Sequence, residues 1–302
     1  MASVWKVLAP MDLRLDTEAP VQYASGAAEI LSAELILLHV ATTRWYQHPH
    51  RLGWPPSAWG KHTPSLDIHR LVLPGAVSDT IVRYADHINA DMLWMTTRTY
   101  GRSTRFWSRS ITAEVMHSTQ RPVCITKMID VDSYLRFRCR RILCVVGLDG
   151  HDANVVKEAQ EVARRTDAEL ILLHIVPEID EALLAYGVSG TEGRPLSTKL
   201  ARERIAELRS GISVPVMSSV MIGSPAKCIG LAAREHRADL VVASRVARRA
   251  RLERAGTYTA DLAAALSRLD CPLLTIPLGA RLDPRTPRSS NDEKPVLTGT
   301  PS

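Results

Sequence analysis

Two aspartates and two arginine-rich segments are the parts of this sequence that could bind a ligand. Asp12 and Asp149 each follow a short apolar run, and the basic segments, residues 96–110 and 243–257, each follow a later one. A carboxylate can accept a hydrogen bond from a ligand hydroxyl, and guanidinium groups bind phosphate, often bidentately. These residue types therefore favour an anionic, phosphate-bearing ligand. The arginines concerned are Arg98, Arg102, Arg105, Arg109, Arg245, Arg248, Arg249, Arg251 and Arg254.

The same residues have structural interpretations that stay open. A strand-end aspartate can cap the turn that follows it, and for Asp12 and Asp149 this interpretation competes evenly with ligand contact. Ser110 and Thr257, which end the two basic segments, are typical helix N-caps whether or not phosphate binds. The arginines can form a solvated face, and nucleic acid ranks below phosphate because no aromatic residues interleave with the second segment.

Composition and charge narrow the class of protein. The chain has 302 residues, 45% hydrophobic and 23% charged, which is typical of a folded protein. Its 38 Lys and Arg against 32 Asp and Glu give a net charge of +6, which favours an anionic partner without identifying it. Five scattered cysteines with no CxxC indicate neither a disulfide framework nor a zinc site. Without a membrane-length apolar run or a signal-peptide profile, the chain is expected in the cytoplasm.

No arrangement of residues typical of catalysis is present in the sequence. There is no Gly-x-Ser-x-Gly elbow, no Walker loop, no His-Glu-x-x-His and no recognisable pair of catalytic carboxylates. His39 and His174 lie inside apolar strand patterns and are interpreted as structural, while a loose group of histidines at residues 48–69 matches no zinc spacing. We therefore expect neither an efficient enzyme nor a metal centre.

The sequence repeats itself. AELILLHV at residues 33–40 returns as AELILLHI at residues 168–175, with one conservative change. Other apolar runs match in the same order, residues 7–11, 90–95 and 122–126 against 143–148, 238–242 and 272–276. Two copies of one domain are predicted, at residues 1–128 and 139–278, followed by a tail at 279–302 that is expected to be disordered.

Each copy alternates short strands with helices. The apolar runs are nearly continuous, which is typical of strands buried on both faces of a parallel sheet. Helical spacing of apolar residues is found between them, at residues 18–31, 78–88, 152–165, 195–209 and 225–236. We predict an α/β fold in which each copy is a five-stranded, mostly parallel, Rossmann-like sheet with helices on both faces. The first copy has an irregular Trp- and Pro-rich stretch, residues 45–59, where the second has the helix at 195–209.

The predicted sheets place the candidate binding residues at one kind of edge. In open parallel sheets, ligands bind beyond the carboxyl ends of the strands, where the connections change direction. Asp12, Asp149 and the basic segments after the fourth strands are expected there. A helix follows each basic segment, and its free N–H groups and dipole suit phosphate.

These features together resemble the universal stress protein family. The resemblance covers nearly all of residues 4–278 as a tandem pair. It rests on the strand ending in Asp, the AELILLHV strand, the Ala-Asp strand before a long basic loop, and the closing Pro-Val strand. The resemblance implies the adenine-nucleotide alpha hydrolase-like form of the Rossmann-like fold in both copies.

ATP-binding members of that family carry a glycine motif after the fourth strand. It reads Gly, two residues, Gly, nine residues, Gly, then Ser or Thr, and its glycines let backbone N–H groups approach the phosphates. The first copy replaces all three glycines and keeps the hydroxyl residue, as Thr96, Thr99, Arg109 and Ser110. The second copy replaces two and keeps the rest, as Ala243, Val246, Gly256 and Thr257.

The resemblance implies an adenine-nucleotide site, for ATP above all, mainly in the second copy. The aspartate would accept a hydrogen bond from a ribose hydroxyl or a base edge. The first copy would contribute Pro10, Asp12, Val40, Met95 and Ser110, and the second Gly147, Asp149, Ile175, Val242, Ala243, Arg245, Val246, Gly256 and Thr257. Whether arginine replaces the lost glycines or fills the pocket stays open. No metal is expected beyond a nucleotide-associated Mg²⁺.

The implied function is that of a cytoplasmic stress-response regulator in which weak or altered ATP binding acts as a switch. The family also implies that the two copies pair as a pseudo-dimer through their last strands, residues 122–126 and 272–276. Homo-oligomers and an unidentified protein partner stay open, and no membrane is expected. The alternative is a nucleotide-independent scaffold that docks a protein; slow ATP hydrolysis at Thr257 ranks third and nucleic-acid binding fourth.

Overall fold

The computed structural model describes residues 4–13, 18–42, 66–97, 110–127, 138–148, 152–176, 190–245 and 264–277, and for residues 190–197 it describes only the backbone. The first half contains β1 (Trp5–Pro10), α1 (Glu18–Ile30), β2 (Ala33–Ala41), β3 (Ile68–Pro74), α2 (Val77–His87), β4 (Met92–Thr97), α3 (Ile111–Ser118) and β5 (Val123–Lys127). The second half contains β6 (Arg141–Val146), α4 (Asp152–Thr166), β7 (Glu169–Val176), α5 (Gly190–Ser210), β8 (Val216–Ile222), α6 (Pro225–Glu235), β9 (Leu240–Arg245) and β10 (Leu273–Pro277).

The predicted α/β fold is confirmed. The strands form one sheet in the order β3-β2-β1-β4-β5-β10-β9-β6-β7-β8, and neighbouring strands within each half are parallel. Eight of the nine residues of β2 are buried, because helices cover both faces of the sheet. Burial on both faces explains why the repeated strand sequence is continuously apolar.

Several sequence predictions concern segments that the structure describes only in part or not at all. The helix predicted at residues 195–209 lies within α5 (Gly190–Ser210). The Trp- and Pro-rich stretch at 45–59, the connection at 128–137 and the tail at 279–302 lie outside the described residues. The domain boundaries that depend on them stay predictions.

An antiparallel seam joins the two halves of the sheet. β10 pairs with β5, with Leu273 opposite Ile125 and Leu274 opposite Cys124. The buried Thr275 Oγ1 also donates to the carbonyl oxygen of Val123 at 3.1 Å. The two last strands therefore pair within one chain, as the resemblance implies.

The apolar core forms two layers, one on each face of the sheet, and each layer spans the seam. The layer beneath α1, α4 and α5 contains Trp5 and Trp94 of the first half together with Leu274 of the second. The layer beneath α2, α3 and α6 contains Ile125 of the first half and Leu273 of the second. Apolar burial therefore holds the halves to each other as well as each half to itself.

A glycine turn leads from the third strand of each half into the next helix. Gly75 and Gly223 have φ angles of 139° and 142°, a region that residues with a Cβ rarely adopt. Their N–H groups donate to the carbonyl oxygens of Ala41 and Val176, which ties each turn to the end of the second strand. None of the described helices is long and apolar enough to cross a membrane.

Candidate functional site

The carboxyl ends of β9, β6 and β7 lie side by side in the second half and form the candidate site. β6 lies between β9 and β7. From β6 the chain continues to β7 and β8 on one side, and it then crosses back to β9 and β10 on the other side. Such a switch point is where open parallel sheets bind ligands. Gly147, Ile175 and Ala243 lie at or near these strand ends, as predicted from the sequence.

A buried carboxylate binds the first two residues after β6. Asp152, at the start of α4 and 6% exposed, accepts hydrogen bonds from the N–H groups of Gly147 and Leu148, both at 2.7 Å. Leu148 has a φ angle of 59°, in the left-handed region. The Arg204 side chain from α5 closes the loop by donating to the Leu148 carbonyl oxygen at 3.1 Å. These three hydrogen bonds fix the backbone of Gly147 and Leu148.

Sequence reasoning missed Asp152 and Arg204. An acidic residue at a helix start is a detectable signal, because it satisfies free N–H groups and suits the helix dipole. The sequence shows that Asp152 starts a helix, but it does not show which amides the carboxylate meets. Arg204 carries no such signal, because it lies among other charged residues of α5.

The repeated histidines have matching structural roles. Nδ1 of His39 lies 2.9 Å from the Met11 carbonyl oxygen, and Nδ1 of His174 lies 2.9 Å from that of Val146. A carbonyl oxygen only accepts, so each contact is a hydrogen bond in the tautomer that carries the proton on Nδ1. In the other tautomer, Nδ1 of His39 can accept from the Leu13 N–H, which lies 3.5 Å away. Each histidine thus fixes the end of the neighbouring first strand, in agreement with its structural interpretation.

This equivalence corrects the predicted correspondence of Asp12 with Asp149. Met11 and Val146 accept the equivalent histidine bonds, so the residues that follow them, Asp12 and Gly147, occupy equivalent positions. Asp149 lies two positions further along the chain, outside the described residues. In the strand register Asp12 therefore corresponds to Gly147, and the role of Asp149 in the site stays a prediction.

Most of the other predicted contact residues are buried. Val242 and Ala243 have no exposed surface, and Val40 is 7% exposed, so their side chains belong to the core. A ligand at these strand ends would contact main-chain groups. Ile175 is half-buried and packs beside the core layer of α2, α3 and α6. In the first half, Pro10 is the last residue of β1, and Met95 is a buried residue of β4.

Ser110 has the structural role that its position suggested. Its Oγ accepts a hydrogen bond from the Ala113 N–H at 3.1 Å, which makes it the N-cap of α3. The N-cap interpretation is therefore confirmed, and a phosphate contact at Ser110 stays a prediction. Val246, Gly256 and Thr257 of the second motif lie outside the described residues.

Arg245 contradicts its predicted role in phosphate binding. It is the last residue of β9, is 3% exposed, and extends across the seam into the first half. Its guanidinium donates to the carbonyl oxygens of Met116, of Thr119 at 3.0 Å and of Arg121 at 2.8 Å. The prediction was wrong because an arginine in a basic segment was assumed to face solvent.

Thiol chemistry and metal binding find no support among the residues that the structure describes. Burial raises the pKa of the Cys124 and Cys144 thiols well above the usual range and that of Cys139 and Cys271 to about 12, so these thiols stay protonated at neutral pH. Within the same ranges, no group of three or more His, Cys, Asp or Glu side chains could hold a metal ion.

Comparison with known proteins gives consistent matches. Residues 138–277 match the family model described as Universal stress protein family. Universal stress protein A homolog 2 of Coxiella burnetii (strain RSA 493 / Nine Mile phase I) is 28% identical over 106 residues, 34% of this chain and 73% of that protein.

Solved structures match the chain across both halves. A universal stress protein from Archaeoglobus fulgidus DSM 4304 has a TM-score of 0.63 at 16% identity, covering 91% of this chain and 96% of its own. A functionally unknown protein from Pseudomonas aeruginosa PAO1 has a TM-score of 0.59 at 14% identity, covering 91% and 93%. At these identities the structures share a fold with this chain, and no more is inferred from them.

Proposed function

Residues 138–277 match the universal stress protein family, and from this premise we propose that the chain is a cytoplasmic stress-response regulator whose second half binds an adenine nucleotide. ATP is the first candidate ligand, bound weakly or in altered form. Binding, rather than turnover, would act as the signal by shifting the protein between conformations.

The fixed backbone of the first two residues after β6 is the observation that supports this proposal. Gly147 and Leu148 are held by Asp152 and Arg204 beside the carboxyl ends of β7 and β9. This edge offers the half-buried Ile175 as an apolar surface and strand-end main-chain groups for polar contacts. An apolar surface with a few fixed polar groups is the usual composition of a small-molecule site.

The proposal is tested by titrating ATP with Mg²⁺ into the purified chain by calorimetry. One site per chain is expected, with binding lost in Asp149→Ala and kept in Asp12→Ala. Two sites would mean that the first half also binds. An absence of heat from folded protein that releases no nucleotide on denaturation would contradict the proposal.

A nucleotide-independent scaffold is the second candidate function. It is favoured by the engagement of Arg245 inside the protein, which leaves its guanidinium unavailable to a phosphate group. The scaffold would be supported by capture of one defined protein partner. This capture should be unchanged by added ATP and abolished by replacing the Trp- and Pro-rich stretch at residues 45–59. Partner binding that requires ATP would instead support the nucleotide-dependent regulator.

A further inference from the structure

Arg245 brings a buried cation of the second half to the end of a helix of the first half. Its three carbonyl acceptors, Met116, Thr119 and Arg121, belong to the last turn of α3 and the segment that follows. The carbonyl groups in a helix's last turn lack partners within the helix, and the dipole favours a positive charge there. Arg245 therefore acts as a C-terminal cap of α3 supplied from the other half.

Helix α3 depends on contacts at both of its ends. It has eight residues, and helices so short are unstable without tertiary contacts. Its N-terminus is capped by its own residue Ser110, through the Ala113 N–H. Its C-terminus has the Thr119 N–H bonded to the Val115 carbonyl oxygen, and beyond this the capping groups come from Arg245.

The guanidinium of Arg245 stays charged in this environment. Burial lowers its pKa to about 9, which is still above neutral pH. Its acceptors are neutral carbonyl oxygens, and within the described residues its Nε has no hydrogen-bond partner. Burying a charge is costly unless it is hydrogen-bonded, so the three carbonyl acceptors are what make an arginine favourable at this position.

We propose that Arg245 couples the end of β9 to helix α3, so that a displacement of either element is transmitted across the seam to the other. β9 contains the first three residues of the second basic segment, and α3 begins directly after the first basic segment ends. Coupling free energies are reciprocal, so one direction of measurement tests both. The coupling resides in bonds of the ligand-free fold and does not depend on nucleotide binding.

Hydrogen exchange of the full chain tests this coupling. Wild type, Arg245→Gln and Arg245→Lys are compared by mass spectrometry at peptide resolution, with Arg234→Gln as the control at an exposed arginine of the same half. In Arg245→Gln the amides of residues 113–121 are expected to exchange about tenfold faster, from the loss of charge-assisted hydrogen bonds. Arg245→Lys is expected to give a smaller increase, because an ammonium group lacks the planar fork that serves three acceptors.

The comparison between regions separates coupling from general destabilisation. Exchange in β2 and β7 is expected to stay as in the wild type, and Arg234→Gln is expected to leave α3 unchanged. Wild-type exchange of α3 in either folded Arg245 variant would overturn the proposal. A uniform increase over the whole chain would also overturn it. If Arg245→Gln does not fold, the exchange rate of α3 in Arg245→Lys tests the proposal.

Discussion

At the residue scale, the side chains that fix the candidate site differ from those that its chemistry first suggested. Asp152 and Arg204 hold the loop after β6, whereas Arg245 lies inside the protein. A buried carboxylate bonded to two amides is a strong constraint, because its removal leaves both N–H groups without their acceptor. The shape of the loop should therefore depend on Asp152.

Replacing Asp152 is expected to lower the free energy of unfolding. Asp152→Ala should lose about 2–3 kcal/mol, because hydrogen bonds to a charged group are worth more than neutral ones. Asp152→Asn should lose less, since its amide oxygen can still accept one bond. Urea unfolding measures both losses. Asp79→Ala, whose side chain is 64% exposed and pairs with Arg83 at the helix surface, is the control and should change stability by less than about 0.5 kcal/mol. Equal stability of Asp152→Ala and wild type would contradict the assigned role.

Sequence reasoning succeeded where one local pattern determines the outcome. Ser110 was recognisable as an N-cap because the cap bond spans three residues. Asp12 is in strand register with Gly147, two positions before Asp149, because additional residues in a loop change the correspondence without changing the strand pattern. Arg245 could not be placed because its partners lie more than a hundred residues away in the chain, and no local spacing reports such a contact.

At the scale of elements, the continuous apolar strands and periodic helices predicted the sheet and its helices well. The turns between the third strands and the next helices are also repeated, as Gly75 and Gly223. The surroundings of these two glycines differ. A Cβ at Gly75 would lie 2.4 Å from Thr80 Oγ1, whereas one at Gly223 would lie 3.2 Å from Cys228 Sγ.

Alanine at the two turn glycines is expected to destabilise the protein unequally. Both substitutions force a Cβ into a left-handed backbone, at a cost of about 1–3 kcal/mol. Gly75→Ala should cost more than Gly223→Ala because of the closer contact with Thr80. Gly26→Ala is the matched control: nothing lies within 4 Å of its added Cβ, and a helical alanine should raise stability by about 0.5–1 kcal/mol. Thermal unfolding measures all three, and a neutral Gly75→Ala would refute the argument.

At the scale of the whole molecule, the seam makes the two halves one folded body. Both core layers cross it, and polar contacts reinforce it on both faces of the sheet. On the face opposite Arg245, the guanidinium of Arg165 from α4 lies 4.2 Å from the ring centre of Trp5 in β1. The same group also donates to the Leu31 carbonyl oxygen after α1, at 3.5 Å.

The halves are therefore expected to unfold together. All six tryptophans lie in the first half, so tryptophan fluorescence reports on that half and on its contacts across the seam, while far-ultraviolet circular dichroism reports on the secondary structure of both halves. Urea titrations followed by the two signals should give the same midpoint, because loss of either half exposes the shared core. A fluorescence midpoint clearly separate from the dichroism midpoint would show that the halves unfold independently.

The antiparallel seam also affects how the sequences of the two copies can diverge. In a symmetric dimer of identical single-domain chains, every substitution appears twice, once on each side of the axis. Here the two copies are separate stretches of one chain, so the fourth strand can end in Arg245 in one copy and in Thr97 in the other. A change that would be harmful in duplicate can be accepted once. Joining two copies end to end thus lets each half specialise while the architecture of the pair is kept.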